Sequence, residues 1–340
     1  VTGARVRDAF GGAELTVSAR LTVNAAGPWA DRIMALAAEG TPSHRLVRAK
    51  GIHLITRRLT EGAALAMFAG SGHFFVLPWR EHSIIGTTDD LFEGSPDDVT
   101  PTGADVAKML AAVNAGLPSA NLTPQDVIHA YAGVRPLIDE SAPGEKGGSY
   151  KKSRKAEIID HEEDSEPGLI SALGGKWTTS RHVAAKAVDL IEKKLGRSPR
   201  RAATDRTPLG GQSTGNVKRF LANAIAAHRR LDPAVIGNLV RNYGAAYDDV
   251  IAEAKGEARA LEPLSPTLAD CGAEILYAVR REMAMTLEDA VFRRTGIGTL
   301  GPPGEETIAR CAYLMAAERG WSAEEQRTQV DGVLAHFKWG

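Results

Sequence analysis

The spacing of apolar residues changes once along this chain, and that change restricts the fold more than any single motif. Up to about residue 173 the apolar residues fall in short runs, many alternating with polar ones and separated by Gly and Pro, the signature of strands. From residue 216 onward the spacing is helical. Val217, Phe220, Leu221 and Ile225 form one stripe, Ile275, Leu276, Val279 and Met283 a second, and Val330, Val333, Leu334 and Phe337 a third. Ser322 with Glu325 predicts a capping box at the last helix. An α/β part followed by an all-α part is therefore expected, with strands ending near residue 173.

Within the first part, Leu15, Val17, Ala19, Leu21 and Val23 alternate with polar residues and predict one strand. It runs into Asn24-Ala25-Ala26-Gly27-Pro28-Trp29, whose Ala25, Ala26 and Gly27 have almost no side chain to keep a flat ligand off the backbone. Pro28 suits a first helical turn. Further strands are expected around Leu46-Val47, His53–Thr56, Phe74–Leu77, Ser83–Thr87, Asp126–Gly133, Ala156–Ile159 and Gly168–Leu173. Pro101–Leu117 and Thr178–Leu195 carry helical patterns, and Gly196–Gly215 reads as a linker. Ser141–Ser153, rich in Gly, Lys and Ser, reads as a surface loop.

The segment Gly174-Gly175-Lys176-Trp177-Thr178-Thr179 joins a buried-strand pattern to a helix pattern. Such a junction leaves backbone N–H groups free at the positive end of a helix dipole, suited to an anion or an electron-rich ring edge. The plainer alternative is a tight turn with an exposed lysine. Arg135 precedes a proline, which keeps it out of helical geometry, and its guanidinium can grip a phosphate or carboxylate with two parallel bonds. A structural ion pair is its alternative role. Arg154 follows a Lys/Arg-rich run and is as readily a solvated charge. His53, after Lys50-Gly51-Ile52, is a side chain able to take a proton near neutral pH, or simply one satisfied by a backbone carbonyl. The Gly86-Thr87-Thr88-Asp89 hydroxyls can serve the turn or a site. No histidine pair has helical metal-ligand spacing, so no metal is expected.

Composition narrows the class. At 340 residues, 43% hydrophobic and 24% charged, the chain is long enough for two domains. A net charge of −1 argues against nucleic acid. Cys271 and Cys311 lie in helical patterns without metal spacing and read as core. No apolar run approaches the roughly 18 residues of a spanning helix.

The ordered set NAAGPWAD, KGIH, LPW, GTTD, AGVRPL, SRKAEI and GGKWTTSR, followed by the helical EDAVFRR segment, resembles the FAD-dependent, quinone-linked (aerobic) glycerol-3-phosphate dehydrogenases over nearly the whole chain. The resemblance implies a partial FAD-binding domain of the glycine/amino-acid oxidase type, an antiparallel substrate-binding sheet and an all-α C-terminal domain. The divisions it implies are 1–40 and 134–198 for the FAD-binding part, 41–133 for the sheet, 199–215 for a linker and 216–340 for the helices. It implies FAD held near Ala25, Ala26, Gly27, Gly174, Gly175, Lys176, Thr178 and Thr179. It also implies a substrate phosphate among Arg135, Arg154 and Lys176, with His53 and Arg135 at the chemistry. The reaction implied is oxidation of sn-glycerol 3-phosphate to dihydroxyacetone phosphate, with electrons passed to a membrane quinone from the cytoplasmic face. Peripheral membrane contact, for which Arg280, Arg281, Arg293 and Arg294 are the candidates against an ordinary solvated helix face, and a homodimer stay open. The Gly-x-Gly-x-x-Gly turn of such families is not in this sequence, so a C-terminal fragment is expected. A non-catalytic regulatory or assembly protein, or a related amine or amino-acid oxidase, are the alternatives.

Overall fold

The structure, a computed structural model, describes residues 1–42, 44, 46–69, 72–138, 155–211, 213–257 and 259–338. Arg154, a sequence candidate, lies outside the described residues.

The chain opens with a hairpin of β1 (Gly3–Arg7) and β2 (Glu14–Ser18), then β3 (Thr22–Asn24), a 3₁₀ turn at Gly27–Trp29 and α1 (Ala30–Ala37). The alternation from Leu15 to Val23 is thus two strands, not one. Leu15 and Val17 are 58% and 51% exposed, because β2 pairs only with β1 and no layer covers its apolar side.

The central sheet consists of β4 (Leu46–Arg57), β5 (Leu65–Ala69), β6 (Gly72–Trp79), β7 (His82–Gly86), β8 (Asp90–Phe92) and β9 (Val127–Ile138). Its order is β5-β6-β7-β4-β8, with β9 on the other side of β4, and every pairing is antiparallel. β7 and β8 pair end to end with the same flank of β4, so the Thr87–Asp89 connection sits beside Gly51. There Thr88 Oγ1 accepts the Ile52 N–H at 3.0 Å, satisfying a donor that the interrupted ladder leaves over. β9 runs on through the expected 133/134 division. It can do so because it is an edge strand, where Pro136 removes no needed ladder donor.

One face of this sheet is sealed by α2 (Gly103–Gly116), whose Val106, Met109, Leu110 and Val113 pack on Ile52, Leu54, Phe74, Val76, Ile85 and Ala130. Thr102 and Asp105 form the capping box that starts α2. Lys50 Nζ reaches Asp105 at 2.7 Å and ties the helix to β4.

The third layer is β10 (Glu157–Asp160) and β11 (Leu169–Leu173), with β11 parallel to β3 in the order β10-β11-β3. α1 packs on it through Ala30 and Met34. α3 (Ser180–Lys194) follows after the 3₁₀ turn Trp177–Thr179.

The remainder holds α4 (Val217–Ala227), α5 (Pro233–Tyr243), α6 (Tyr247–Glu253), α7 (Gly272–Arg281), a π-helical segment Asp289–Arg294, α8 (Glu305–Arg319) and α9 (Ala323–His336). Their shared core includes Ile236, Leu239, Ile275, Val291, Ile308 and Met315. Strands do not stop at 173, however. β12 (Pro263–Ser265) and β13 (Leu268–Cys271) make a short hairpin among the helices, too short to show a period in sequence. Two members of the helical stripes, Val217 and Met283, are 56% and 78% exposed; Met283 lies past the end of α7. The Ser322–Glu325 capping box is present, and both cysteines are fully buried. Burial pushes both thiols up to about 12, so they stay protonated.

The helices meet the sheet at the β6–β7 turn. Arg80 Nη1 and Nη2 grip the fully buried Asp270 at 2.6 and 3.2 Å, and Trp79 Nε1 donates to Thr299 Oγ1 at 3.3 Å. Among the described residues, no helix is long and apolar enough to cross a membrane. The four arginines weighed for lipid contact do not form a free basic face. Arg280 and Arg281 bind Glu253, Arg280 also Glu318, and Arg293 binds Glu288 and Asp289; Arg294 donates to the Glu282 carbonyl.

Candidate active site

Side chains alternate across a strand, so the sheet face opposite α2 receives Gly51 and His53 from β4, and Tyr131, Gly133 and Arg135 from β9. Together with Thr87, Gly175, Lys176 and Trp177 these residues line a cavity of 580 Å³. The cavity thus lies between the central sheet and the turn after β11.

Two glycines set the geometry. Arg135 stands opposite Ala49 in the β4–β9 register, yet its guanidinium reaches residues 87–89 on the far side of β4. It crosses at Gly51. A Cβ there would sit 2.5 Å from Arg135 Nη2 and 2.4 Å from Thr87 Oγ1. The His53 imidazole lies over Gly86, where a Cβ would meet its ring at 2.2 Å. On the β9 side His53 stacks on Tyr131, with centroids 5.5 Å apart and planes 19° from parallel.

Arg135 Nη1 donates to Asp89 Oδ1 at 3.0 Å, and Nη2 donates to Thr87 Oγ1 at 2.9 Å. Both also reach the Thr88 carbonyl, at 3.3 and 3.2 Å. The guanidinium is therefore fixed rather than searching, and its charge is shared with a mostly buried carboxylate. Thr87 serves the site, while Thr88 serves the strand break as well. Burial first, and the nearby Arg135 charge second, hold the His53 imidazole below the ordinary histidine range. It is therefore neutral at pH 7 and able to accept a proton. Burial pushes the Tyr131 hydroxyl upward.

β3 and β11 are parallel, so their carboxyl ends, Ala25-Ala26-Gly27 and Gly174-Gly175-Lys176, lie at the same edge of their sheet. Ligands of α/β sheets settle at that edge. Gly174 and Gly175 have φ of 65° and 87°, a turn other residues enter only with strain. Thr179 Oγ1 donates to the Lys176 carbonyl at 3.0 Å. Trp177 is 93% exposed, and Lys176 beside it is exposed at the rim of the cavity. Small strand ends, a glycine turn and uncovered apolar surface suit a broad planar group such as a flavin, approached by backbone rather than by side chains.

Of the sequence candidates, His53, Arg135, Gly175 and Lys176 come together around the cavity. Ala25, Ala26, Gly27, Gly174, Thr178 and Thr179 do not line it; they sit at the strand ends and the helix entry alongside. Tyr131 was missed, although the spacing Tyr131, Gly133, Arg135 on one strand face would have exposed it.

Residues 1–181 match the family model described as FAD dependent oxidoreductase, and residues 202–326 match the C-terminal domain of alpha-glycerophosphate oxidase. A glycerol-3-phosphate dehydrogenase of Synechocystis sp. is 32% identical, covering 97% of this chain and 61% of its own length. The glycerol-3-phosphate dehydrogenase 2 of Mycobacterium bovis is 30% identical, covering 99% and 57%. The chain thus spans about six-tenths of the curated relatives' length. Among solved structures, glycerol-3-phosphate dehydrogenase from Bacillus halodurans complexed with FAD superposes with a TM-score of 0.80 at 28% identity, covering 99% of this chain and 66% of that one.

Proposed function

The chain belongs to the FAD-dependent oxidoreductase family, in its glycerol-3-phosphate dehydrogenase branch, and from that membership we propose that its cavity binds sn-glycerol 3-phosphate for oxidation to dihydroxyacetone phosphate. The observation that carries this reading is the convergence of a neutral, uncharged imidazole and two cationic side chains on one cavity.

Bound FAD would supply the two-electron acceptor for the hydride leaving C2. Gly174, Gly175 and Lys176, with Ala25, Ala26, Gly27, Thr178 and Thr179, would hold it through their backbone and hydroxyls. The chain's own side chains do the rest. Arg135 and Lys176 take the phosphate, Arg135 already aimed by Asp89 and Thr87 so that little entropy is lost on binding. His53 accepts the proton of the C2 hydroxyl as the C–H bond breaks. A phosphate dianion beside Arg135 offsets the charge that depresses His53, so substrate binding raises the basicity of the imidazole when it is needed. Tyr131 fixes the imidazole plane by stacking.

Transfer of electrons to a membrane quinone by a protein resting on the cytoplasmic face is the finer form of this proposal. The helical part matches a family named for an oxidase, which favours molecular oxygen as a second acceptor to be weighed. Peroxide formation separates the two. The test of the core reading is the anaerobic absorbance of the purified chain with added FAD. Bleaching by sn-glycerol 3-phosphate, and not by glycerol, is the expected result; bound flavin left unchanged by the phosphate ester would overturn it.

A further inference from the structure

Away from the cavity, three potential ligand atoms converge where His44 meets the turn between β10 and β11, with the Glu166 carboxylate beside one of them. His44 Nε2 and His161 Nδ1 each lie 2.9 Å from Asp164 Oδ2, and all three atoms fall within 4.8 Å of one another. Glu166 Oε2 is 3.8 Å from His161 Nδ1. His161 is fully buried, and Glu166 is nine-tenths buried with Oε2 lacking any hydrogen-bond partner. A buried carboxylate oxygen without a partner is costly. Its direction toward an imidazole nitrogen already occupied by another carboxylate needs a physical reason.

We propose that His44, His161 and Asp164 form a structural zinc site, with the unpartnered Glu166 carboxylate turning in as the fourth ligand. Zinc bonds of about 2.0–2.2 Å place tetrahedral ligand atoms about 3.3–3.6 Å apart. The observed separations of 2.9, 2.9 and 3.8 Å bracket that edge. Two imidazoles with two carboxylates are a borderline donor set that suits zinc better than calcium or magnesium, which prefer oxygen alone.

The surroundings are arranged for ligation. Asn24 Nδ2 donates to Ser171 Oγ at 3.1 Å, leaving that oxygen able to accept His161 Nε2–H at 2.8 Å. This tautomer points the Nδ1 lone pair at the cluster, the support metal-bound histidines usually have. The turn backbone is fixed beforehand by Glu166 N–H and Asp164 N–H donating to the His161 carbonyl, at 2.9 and 3.1 Å. A bound zinc would pin the entry of β4 to this turn, and through Ser171 and Asn24 to the strand end that carries Ala25 and Ala26. Sequence spacing alone does not reveal the site, because His44 and His161 come from distant segments rather than one helix.

The test is calorimetric titration of chelator-stripped chain with Zn²⁺, paired with thermal unfolding with and without the ion. One saturable equivalent and a raised melting temperature are expected in the wild-type chain. In His44→Ala and Asp164→Asn the affinity should fall by more than the roughly 10–100-fold that losing a supporting partner alone costs. His44 is partly exposed, so its removal leaves the fold intact, and unchanged melting of that variant in chelator checks this. Absence of a saturable equivalent in the wild-type chain, or unchanged affinity in both variants, overturns the proposal and leaves a hydrogen-bonded network in its place.

Discussion

The same two strands, β4 and β9, carry faces of opposite character. Toward α2 they present Ile52, Leu54 and Ala130, all buried at 2% exposure or less in a close-packed core. Toward the cavity they present Gly51, His53, Tyr131, Gly133 and Arg135. The first face is built by filling space and the second by leaving it empty at chosen points. Gly51 and Gly86 are as much a part of the site as the charged residues, because they make room for Arg135 to cross β4 and for His53 to lie flat. Alternation along a strand lets one element supply stability and chemistry with little interference.

That division can be broken on either side. His53→Ala should lower kcat by roughly 10²–10⁴-fold, the usual weight of a general base, with KM for sn-glycerol 3-phosphate near the wild-type value. A large rise in KM instead would move His53 from proton transfer to binding. Arg135→Ala should lower kcat/KM by roughly 10²–10⁴-fold, since two charge-assisted hydrogen bonds weigh about 1.5–3 kcal/mol each. Steady-state kinetics with flavin content measured alongside would detect it, and an unaltered constant would leave Arg135 as a purely structural partner of Asp89. On the opposite face, Leu54→Ala should cost about 2–5 kcal/mol of folding stability by leaving a cavity under α2. Denaturant unfolding would show the loss while KM stays put; a shifted KM would mean the faces are coupled.

Gly51→Ala should have a smaller effect, about 1–3 kcal/mol, expressed mostly as weaker phosphate-ester binding because the new methyl displaces Arg135. Equal losses for glycerol and its phosphate would argue that the methyl merely disturbs the sheet. The smallest effect concerns pH. His53 must be neutral to act, and its value lies below the usual 6.5, so kcat/KM should fall only on the acid side of that point. Removing one cause of the depression, in Arg135→Gln, should move this acid limb upward. A downward shift would contradict the electrostatic coupling.

Much of this was legible in the sequence because the periods were long enough to read. The β6, β7 and β9 strands, the two ends of β4 (read as separate strands but continuous from Leu46 to Arg57), α2, the α3 helix after the double glycine, and the C-terminal helices carry clear spacing. His53 and Arg135 stood out by their neighbours Gly51 and Pro136. Several elements of three to five residues were missed, although β7, β10 and β11 are as short and were expected. β12 and β13 hide among helices, and the β2–β3 break within Leu15–Val23 leaves alternation intact although the apolar side faces solvent. Tyr131, and the passage of Arg135 over Gly51, depend on register between distant segments, as does the meeting of His44 with His161. The pairing of Arg280 and Arg281 with Glu253 and Glu318 from other helices is likewise a matter of distant segments meeting.

The most direct test of the two-face account is the ratio of kcat/KM for sn-glycerol 3-phosphate to that for glycerol, measured in the wild-type chain, Arg135→Ala and Leu54→Ala with FAD supplied. The account predicts that the preference for the phosphate ester collapses in Arg135→Ala and survives in Leu54→Ala at temperatures where that variant stays folded. Retention of the preference without Arg135 would contradict it and place phosphate recognition elsewhere.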